Sequence, residues 1–429
     1  MRRNSARSRL GWIALLVCLC ALVPQAAQAQ VLGQLIASAL TSHPSAQGQR
    51  ALVESSQAGV DSARWQFYPT PSVSVETANA SAADPAYQGD KLVSTVRLQQ
   101  PLWTGGRLTA GMDRAEAGLV FSQASLEEVR LQLGLRVLQA YGDWLSAHLK
   151  TQANEKSLST HVRLREQVKR RLSEGASAES DLRLAVARLE AISAEVTAGI
   201  TQREIARARL GQLLGHPVDG AALTVAPAAP RALDGSVQAM LEMAISISPT
   251  VAKAQAQARV QEAMIAERRA DLSPEVYARI ERQYGNYSVA NGAPVSRLFV
   301  GVNSRFGAGL STLSAVQAAR SQHAAALTEI EVQSRSVSEQ VLSDYALAQS
   351  AVSRLAATNA SLQATEEVSA SYDRQFLAGR KSWLDVMNAA RELAQTESQG
   401  ADLKATQVVL TWRLAAYTRG IAAVTEELK

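Results

Sequence analysis

The side chains that most often perform catalysis are sparse and scattered in this sequence. Its 429 residues include five histidines and two cysteines, and none has the spacing of a metal site or of a nucleophile with its base. No phosphate-binding loop, nucleophile elbow or dinucleotide fingerprint is present. The histidines are His43, His148, His161, His216 and His323. We therefore expect no enzyme, no cofactor and no metal site.

Residues 1–29 have the three parts of a secretory signal peptide. Four arginines precede a short apolar run at residues 12–23, and Ala27-Gln28-Ala29 fits a cleavage site. Cys18 and Cys20 lie inside that run without a convincing lipobox, so a lipid anchor is the less favoured alternative. The pattern predicts that the mature chain is exported and lacks cysteine.

The mature chain is nearly neutral. Without the signal it has 40 Lys and Arg against 39 Asp and Glu, a net charge of +1, so we expect no nucleic-acid partner. With no disulfide, its stability must come from burial or oligomerisation. No later segment has 18 uninterrupted apolar residues, so any contact with outer-membrane lipid would be made by β-strands.

The sequence repeats itself at an offset of 205 residues, which becomes 204 beyond about residue 97. The matched pairs include Pro44 with Pro249, Glu76 with Glu281, Tyr141 with Tyr345, Gly175 with Gly379, and Asp181 with Asp385. We interpret this as a tandem duplication. The first repeat covers residues 30–220, an Ala- and Pro-rich linker covers 221–232, and the second repeat covers 233–429.

Each repeat has the same predicted order of helix, strand, strand, long helix and returning helix. In the first repeat these elements cover residues 45–68, 71–81, 92–100, 107–174 and 176–215. In the second repeat, a helix at 250–272 precedes strands at 275–284 and 296–306. No proline interrupts residues 102–216 or follows Pro294, which favours long helices. The fold class is mostly α with a small β part.

The long helix of the first repeat carries two apolar stripes. They consist of Leu119, Leu126, Leu133 and Ala140, and of Leu131, Leu135, Leu138, Leu145 and Leu149. Two stripes suit a helix with a neighbour on each side, as in a cylinder of helices. At about 1.5 Å per residue the long helix spans about 100 Å, and the two shorter ones, about 36 and 60 Å, match it when stacked.

Local motifs indicate which protein family this order of helices and strands resembles. The segment Gln100-Pro101-Leu102-Trp103-Thr104-Gly105-Gly106-Arg107 resembles a strand-to-helix junction of the TolC family of outer-membrane factors. Residues 376–389 resemble the family's most recognisable stretch, and residues 172–182 are their first-repeat copy. With the repeat, the signal and the strands, the whole mature chain resembles that family.

The resemblance implies a homotrimer in the outer membrane of a Gram-negative bacterium. Three chains would supply a 12-stranded outer-membrane β-barrel that continues into a 12-column α-helical barrel in the periplasm. Four strands cannot close a barrel alone, whereas twelve leave no sheet edge in lipid. The loops at residues 82–90 and 286–294 would face outside the cell.

The resemblance also implies functional positions at the periplasmic end. Gly175 and Gly379 would be hairpin tips that dock into a periplasmic adaptor. Asp385 would contribute to a ring of carboxylates that narrows the tunnel entrance, and Asn388 stands where relatives often carry a second acid.

Three further residues match an entrance latch in relatives. They are Asp181, Lys381 and Phe376, and Phe376 lacks the aromatic hydroxyl of the family pattern. The alternative to these functional roles is that the charged residues of the constriction and the latch simply lie on a solvent-exposed helix face.

The resemblance implies a tripartite export system with a periplasmic adaptor and an inner-membrane ABC or proton-driven transporter. Drug-efflux channels of the family are frequently lipoproteins, so a signal without a lipid-carrying cysteine favours type I secretion of a large protein, such as an adhesin or repeat toxin. Multidrug or small-molecule efflux is the alternative. A secreted coiled-coil structural protein is the competitor from another class, but it would leave the paired strands unexplained.

Overall fold

A computed structural model of the protein describes residues 31–81, 84–225, 236–304 and 311–428. The predicted signal peptide, most of the predicted linker and residues 305–310, which include the end of the last predicted strand, lie outside these ranges. Within them, no helix combines the length and the apolar character that crossing a membrane requires.

The chain is mostly helical. The helices are α1 (Leu32–Ser42), α2 (Pro44–Trp65), α3 (Arg107–Ser173), α4 (Glu179–Leu214), α5 (Val237–Ile247), α6 (Pro249–Ala270), α7 (Ser311–Leu377), α8 (Trp383–Arg419) and α9 (Ile421–Glu427). The strands are β1 (Thr70–Thr77), β2 (Leu92–Trp103), β3 (Glu275–Tyr284) and β4 (Val295–Asn303).

The tandem duplication is confirmed by the lengths of the elements. Helices α1 and α5 have 11 residues each, α2 and α6 have 22, and α3 and α7 have 67. The predicted order within each repeat is also confirmed, but each repeat begins with a short helix, α1 or α5, that the sequence did not predict. The boundaries of the predicted domains remain a prediction.

The long helices are arranged as four columns. On one side α3 packs against α2 and α4, and on the other it packs against α6 and α8. Helix α7 also packs against α6 and α8, so it forms one edge of the protomer, and α2 with α4 forms the other edge. Two shorter helices therefore share a column beside each long one, as the lengths predicted.

The largest apolar core surrounds the middle of α3. It joins α1, α3, α4, α8 and α9, and its fully buried members include Ile36, Leu133, Trp144 and Trp412. Since α1 and α3 belong to the first repeat and α8 and α9 to the second, the two repeats share one core.

A buried ion pair fixes α7 against α8. Asp344 is 2% exposed, and one carboxylate oxygen lies 3.1 Å from Nη2 of Arg413. Gln340 Nε2 donates a hydrogen bond of 3.0 Å to the other oxygen. Burial raises the pKa of Asp344, and the positive charge of Arg413 opposes that rise.

The four strands form one antiparallel sheet in the order β1-β2-β3-β4. Strands β2 and β3 come from different repeats, and their register places Leu98 opposite Ile280. One sheet face is strongly apolar and exposed in the protomer. This apolar face includes Val73, Val75, Val96, Leu98, Ile280, Leu298, Val300 and Val302.

The junction between β2 and α3 needs glycine. Gly105 and Gly106 have φ values of +62° and +89°, in the region that L side chains rarely adopt. A Cβ on Gly105 would lie 2.2 Å from Cβ of Ser273, whereas one on Gly106 would meet nothing within 4 Å. Pro101 lies at an irregularity of the β2–β3 register, where its missing N–H is tolerated.

Candidate functional site

The two long helices end in the same turn. Gly175 and Gly379 have φ values of +72° and +73°. In both turns the glycine N–H donates at 3.0 Å to the carbonyl three residues earlier, and the next N–H donates to the carbonyl five residues earlier. This pair of bonds ends a helix with a left-handed residue. Both glycines are exposed at the reversal, and their role in docking an adaptor remains a prediction.

Asp181 lies in the first turn of α4, the returning helix of the first hairpin. Its carboxylate accepts hydrogen bonds from Ser177 Oγ at 2.9 Å and from the Ala178 N–H at 3.1 Å. The indole of Trp383, from the second hairpin, also favours the charged form of this carboxylate. These bonds, with that of Ser177 largest, lower the pKa of Asp181. Asp181 therefore caps α4 and contacts the other hairpin.

Asp385 lies in the first turn of α8, the returning helix of the second hairpin. Ser382 Oγ accepts from the Asp385 N–H at 3.2 Å, and Asp385 Oδ2 accepts from the Ser382 N–H at 3.3 Å, which is a capping box. Lys381 Nζ lies 3.8 Å from the same Oδ2 and 4.2 Å from the ring centroid of Tyr372. The Asp385 side chain is 43% exposed, so it can cap the helix and still present charge to solvent.

Phe376 packs between the two hairpins, close to their tips. It is 2% exposed and packs in a small core with Leu164, Val386 and Met387. Arg171 of α3 donates from Nη2 to the Phe376 carbonyl oxygen at 2.6 Å, and its guanidinium carbon lies 4.1 Å from the ring centroid. Arg171 thus adds a second donor to the Phe376 carbonyl, which already accepts from the Gly379 N–H, at the C-terminus of α7, where a cation is favoured.

Asn388 lies in a groove between the returning helices α4 and α8. The groove has a volume of about 690 Å³. Trp383, Arg188 and Arg391 are among the other lining residues. The roles of Asp385 and Asn388 at a tunnel entrance stay predictions.

The structure brings the predicted residues to one end of the protomer but gives each latch residue its own partners. Asp181 contacts Trp383, Lys381 contacts Asp385 and Tyr372, and Phe376 contacts Arg171. A latch from Asp181 to the Lys381 of a neighbouring hairpin therefore stays a prediction. Within the protomer, Arg171 and Trp383 join the hairpins.

Sequence reasoning missed Arg171, Tyr372 and Trp383. The pattern Ser-x-x-Asp at residues 382–385 is a capping signature that could have assigned Asp385 a structural role. No comparable signal marks Arg171 or Trp383, because their partners lie about 200 residues away in sequence.

We expect Trp383→Phe to loosen the start of α4, because phenylalanine keeps the ring but loses the indole donor. Amide hydrogen exchange in residues 179–183 should rise about fivefold, the effect of losing one modest hydrogen bond. The start of α5, where Ser236 Oγ accepts from the Ala239 N–H, is the internal control because it lies far from Trp383. Unchanged exchange in α4 would contradict this role of the indole.

The same variant should change the acid response of this turn. A lowered pKa means that Asp181 contributes stability above its unfolded-state pKa, and this contribution is lost as the pH falls through the folded-state pKa. Removing one donor raises the folded-state pKa, so exchange at the start of α4 should increase at a higher pH in the variant than in the wild type.

Comparisons with known proteins agree with this architecture. The sequence profile of the family described as outer membrane efflux protein matches residues 35–216 and 240–418, which make up most of the chain. No curated protein sequence matches. The TolC-family resemblance is confirmed.

Solved structures of channels share the fold. The CusC channel is 17% identical with a TM-score of 0.77, covering 91% of this chain and 92% of its own. VceC of Vibrio cholerae is 16% identical with a TM-score of 0.77, covering 91% and 96%. The MtrE channel of Neisseria gonorrhoeae, in an open state, is 19% identical with a TM-score of 0.72, covering 91% and 89%. The chain therefore belongs to the outer membrane efflux protein family, as an outer-membrane transport protein with the TolC-family fold.

Proposed function

We propose that three copies of the chain assemble into a conduit through the outer membrane and the periplasm. The observation that carries this proposal is the apolar surface on the two edge columns, which no other described helix of the protomer covers. Large apolar residues on both edges are between 38% and 53% exposed. They are Val186, Ile200 and Ile205 on α4, and Leu327, Val332, Leu342, Leu347, Val352 and Val368 on α7.

A second copy of the chain is the partner that fits these edges. Placing α7 of one protomer beside the α2 and α4 column of the next repeats the spacing of helices found inside the protomer. Cyclic repetition closes without a free edge, and the family fold supports closure at three copies. The outer strands β1 and β4 would pair in the same way, so that twelve strands close.

The apolar sheet face supports the orientation of the conduit. Leu298, Val300 and Val302 are each about 70% exposed in the protomer, as expected for side chains that contact lipid. The helical columns would then extend into the periplasm for about 100 Å, the length of a 67-residue helix. The hairpin tips at Gly175 and Gly379 would lie at the far end, where an adaptor and an inner-membrane transporter deliver cargo.

The conduit would be passive and have no enzymatic activity. Asp385 would place three carboxylates around the entrance of a trimer, and Asn388 would leave no second ring of charge one turn later. Carboxylates that converge on an axis favour cations and repel anions.

We propose a polypeptide as the cargo, exported by type I secretion. The support comes from the sequence. Drug-efflux channels of the family are frequently lipoproteins, and neither Cys18 nor Cys20 lies in a convincing lipobox. Small-molecule efflux is the second candidate, and the description of the matched family favours it. In both cases the energy comes from the inner-membrane transporter, either an ABC protein or a proton-driven pump.

An in-frame deletion separates the two candidates. The medium and the cell surface of the deletion strain would be compared with the parent by quantitative proteomics, alongside susceptibility to drugs and metals. Loss of one very large protein, restored by the wild-type gene, supports secretion. An unchanged exoproteome with increased susceptibility supports efflux. Light scattering on the purified detergent complex tests assembly, and a monomer would contradict the proposed trimer.

A further inference from the structure

The sheet face opposite the apolar face carries a cluster of arginines. This polar face includes Thr95, Arg97, Arg279, Glu281 and Arg297. Its side chains are crowded, with Thr95 at 7% and Glu281 at 8% exposure, while the apolar face stands open. In the proposed trimer the polar face lines the interior, because the apolar face meets lipid.

Three guanidinium groups surround the single carboxylate of Glu281. The cross-strand register places Arg97 of β2 and Arg297 of β4 directly opposite Glu281. Nε of Arg97 lies 3.5 Å from Oε2, and Nη1 of Arg297 lies 3.6 Å from Oε1. Arg279, two residues before Glu281 on the same strand, places its Nε 3.6 Å from Oε2.

One carboxylate cannot neutralise or fully bond these groups. Three positive charges against one negative charge leave +2 at this level of each protomer, or +6 in a trimer. The Nε donors of Arg97 and Arg279 are buried and make no hydrogen bond within the part of the chain that the structure describes. Arg279 instead rests on the Phe299 ring, with its guanidinium carbon 4.6 Å from the centroid.

The remaining charges on the polar face lie away from this level. Glu76 is next to the last residue of β1, towards the loops. Glu275 is the first residue of β3, at the opposite end, and lies 3.5 Å from Arg107. The positive charge is therefore concentrated in a band at the middle of the sheet.

We propose that this arginine band makes the membrane-embedded part of the conduit selective for anions. Guanidinium groups bind chloride, phosphate and carboxylate groups, and a narrow charged passage raises the local concentration of counter-ions. The inference rests on the proposed trimeric conduit. It assigns this part of the conduit a charge preference opposite to that of the proposed Asp385 ring at the entrance.

The test is the zero-current potential of the purified complex in a planar bilayer under a KCl gradient. We expect Arg97→Gln with Arg297→Gln to lower the ratio of chloride to potassium permeability on the order of tenfold. The variant with Arg97→Lys and Arg297→Lys should keep most of the wild-type permeability ratio, because lysine retains the positive charge. Arg282→Gln is the matched control, because Arg282 lies on the same strand as Glu281 but on the apolar face.

The possible results test the anion selectivity and the proposed conduit separately. A permeability ratio that is unchanged in the double glutamine variant overturns the anion selectivity. If that variant does not assemble, inorganic phosphate added to the wild-type channel from either side should compete for the arginine band and reduce the chloride current, and no effect from both sides overturns the anion selectivity as well. If the wild type forms no channel at all, the proposed conduit itself is wrong.

Discussion

Replacing Arg413 by methionine should lower the free energy of unfolding by about 3–5 kcal/mol at pH 7, because it leaves a buried carboxylate without its cation. Asp344 is almost fully enclosed, so water cannot take the place of the guanidinium group. Denaturation of the protein purified in detergent, followed by helical circular dichroism, measures the loss. Asp344→Asn combined with Arg413→Met should recover most of it, since the double variant buries no charge.

The effect of Arg413→Met should depend on pH with a defined sign. A carboxyl group whose folded-state pKa is raised favours the folded protein at low pH, and this contribution is lost as the pH rises through the folded-state pKa. Without Arg413 the pKa of Asp344 rises further, so the destabilisation should shrink as the pH is lowered.

An exposed ion pair provides the control for that experiment. Arg209 and Asp143 lie 4.0 Å apart with side chains 60% and 38% exposed. Arg209→Met should therefore change the free energy of unfolding by no more than about 0.5 kcal/mol. Similar losses in Arg209→Met and Arg413→Met would show that burial of Asp344 is not the cause.

Gly105→Ala should destabilise the protein by about 2–5 kcal/mol. About 1–2 kcal/mol comes from placing a Cβ in the left-handed region, and a further ~1–3 kcal/mol comes from the overlap with Ser273. The junction joins the sheet to α3, so the fraction of assembled complex in detergent should fall as well. Denaturation and size-exclusion chromatography measure the two effects.

Two variants separate the contributions at this junction. Gly106→Ala has the same backbone strain but open space around the new methyl group, so it should cost only about 1–2 kcal/mol. Adding Ser273→Gly to Gly105→Ala should relieve the overlap and leave the strain. If Gly105→Ala and Gly106→Ala cost the same, the close approach of Ser273 has no energetic importance.

The sequence predicted the long elements well because their signals are local. Helix α3 begins at the predicted residue and ends one residue early, since glycines limit it at both ends. Strand β3 matches its prediction, while β1 ends at Thr77, four residues early. Helices α1 and α5 were missed because 11 residues give little periodicity, and α1 directly follows the predicted signal.

The candidate site was only partly predictable, because its contacts join residues far apart in the chain. The positions of Gly175 and Gly379 follow from the repeat. The contact of Arg171 with Phe376 depends on how the two hairpins pack, which no local pattern encodes. The arginine band likewise needs the register between β2 and β3, strands that belong to different repeats.

The pairing of β2 with β3 also constrains how the newly exported chain can fold. Leu98 pairs with Ile280, which is translocated much later. When the first repeat reaches the periplasm, one edge of β2 is therefore still unpaired and the apolar face is still exposed. Contacts between such distant residues form slowly, and unpaired strands aggregate in the meantime. The protein should therefore depend on periplasmic chaperones that hold the first repeat until the second has been translocated.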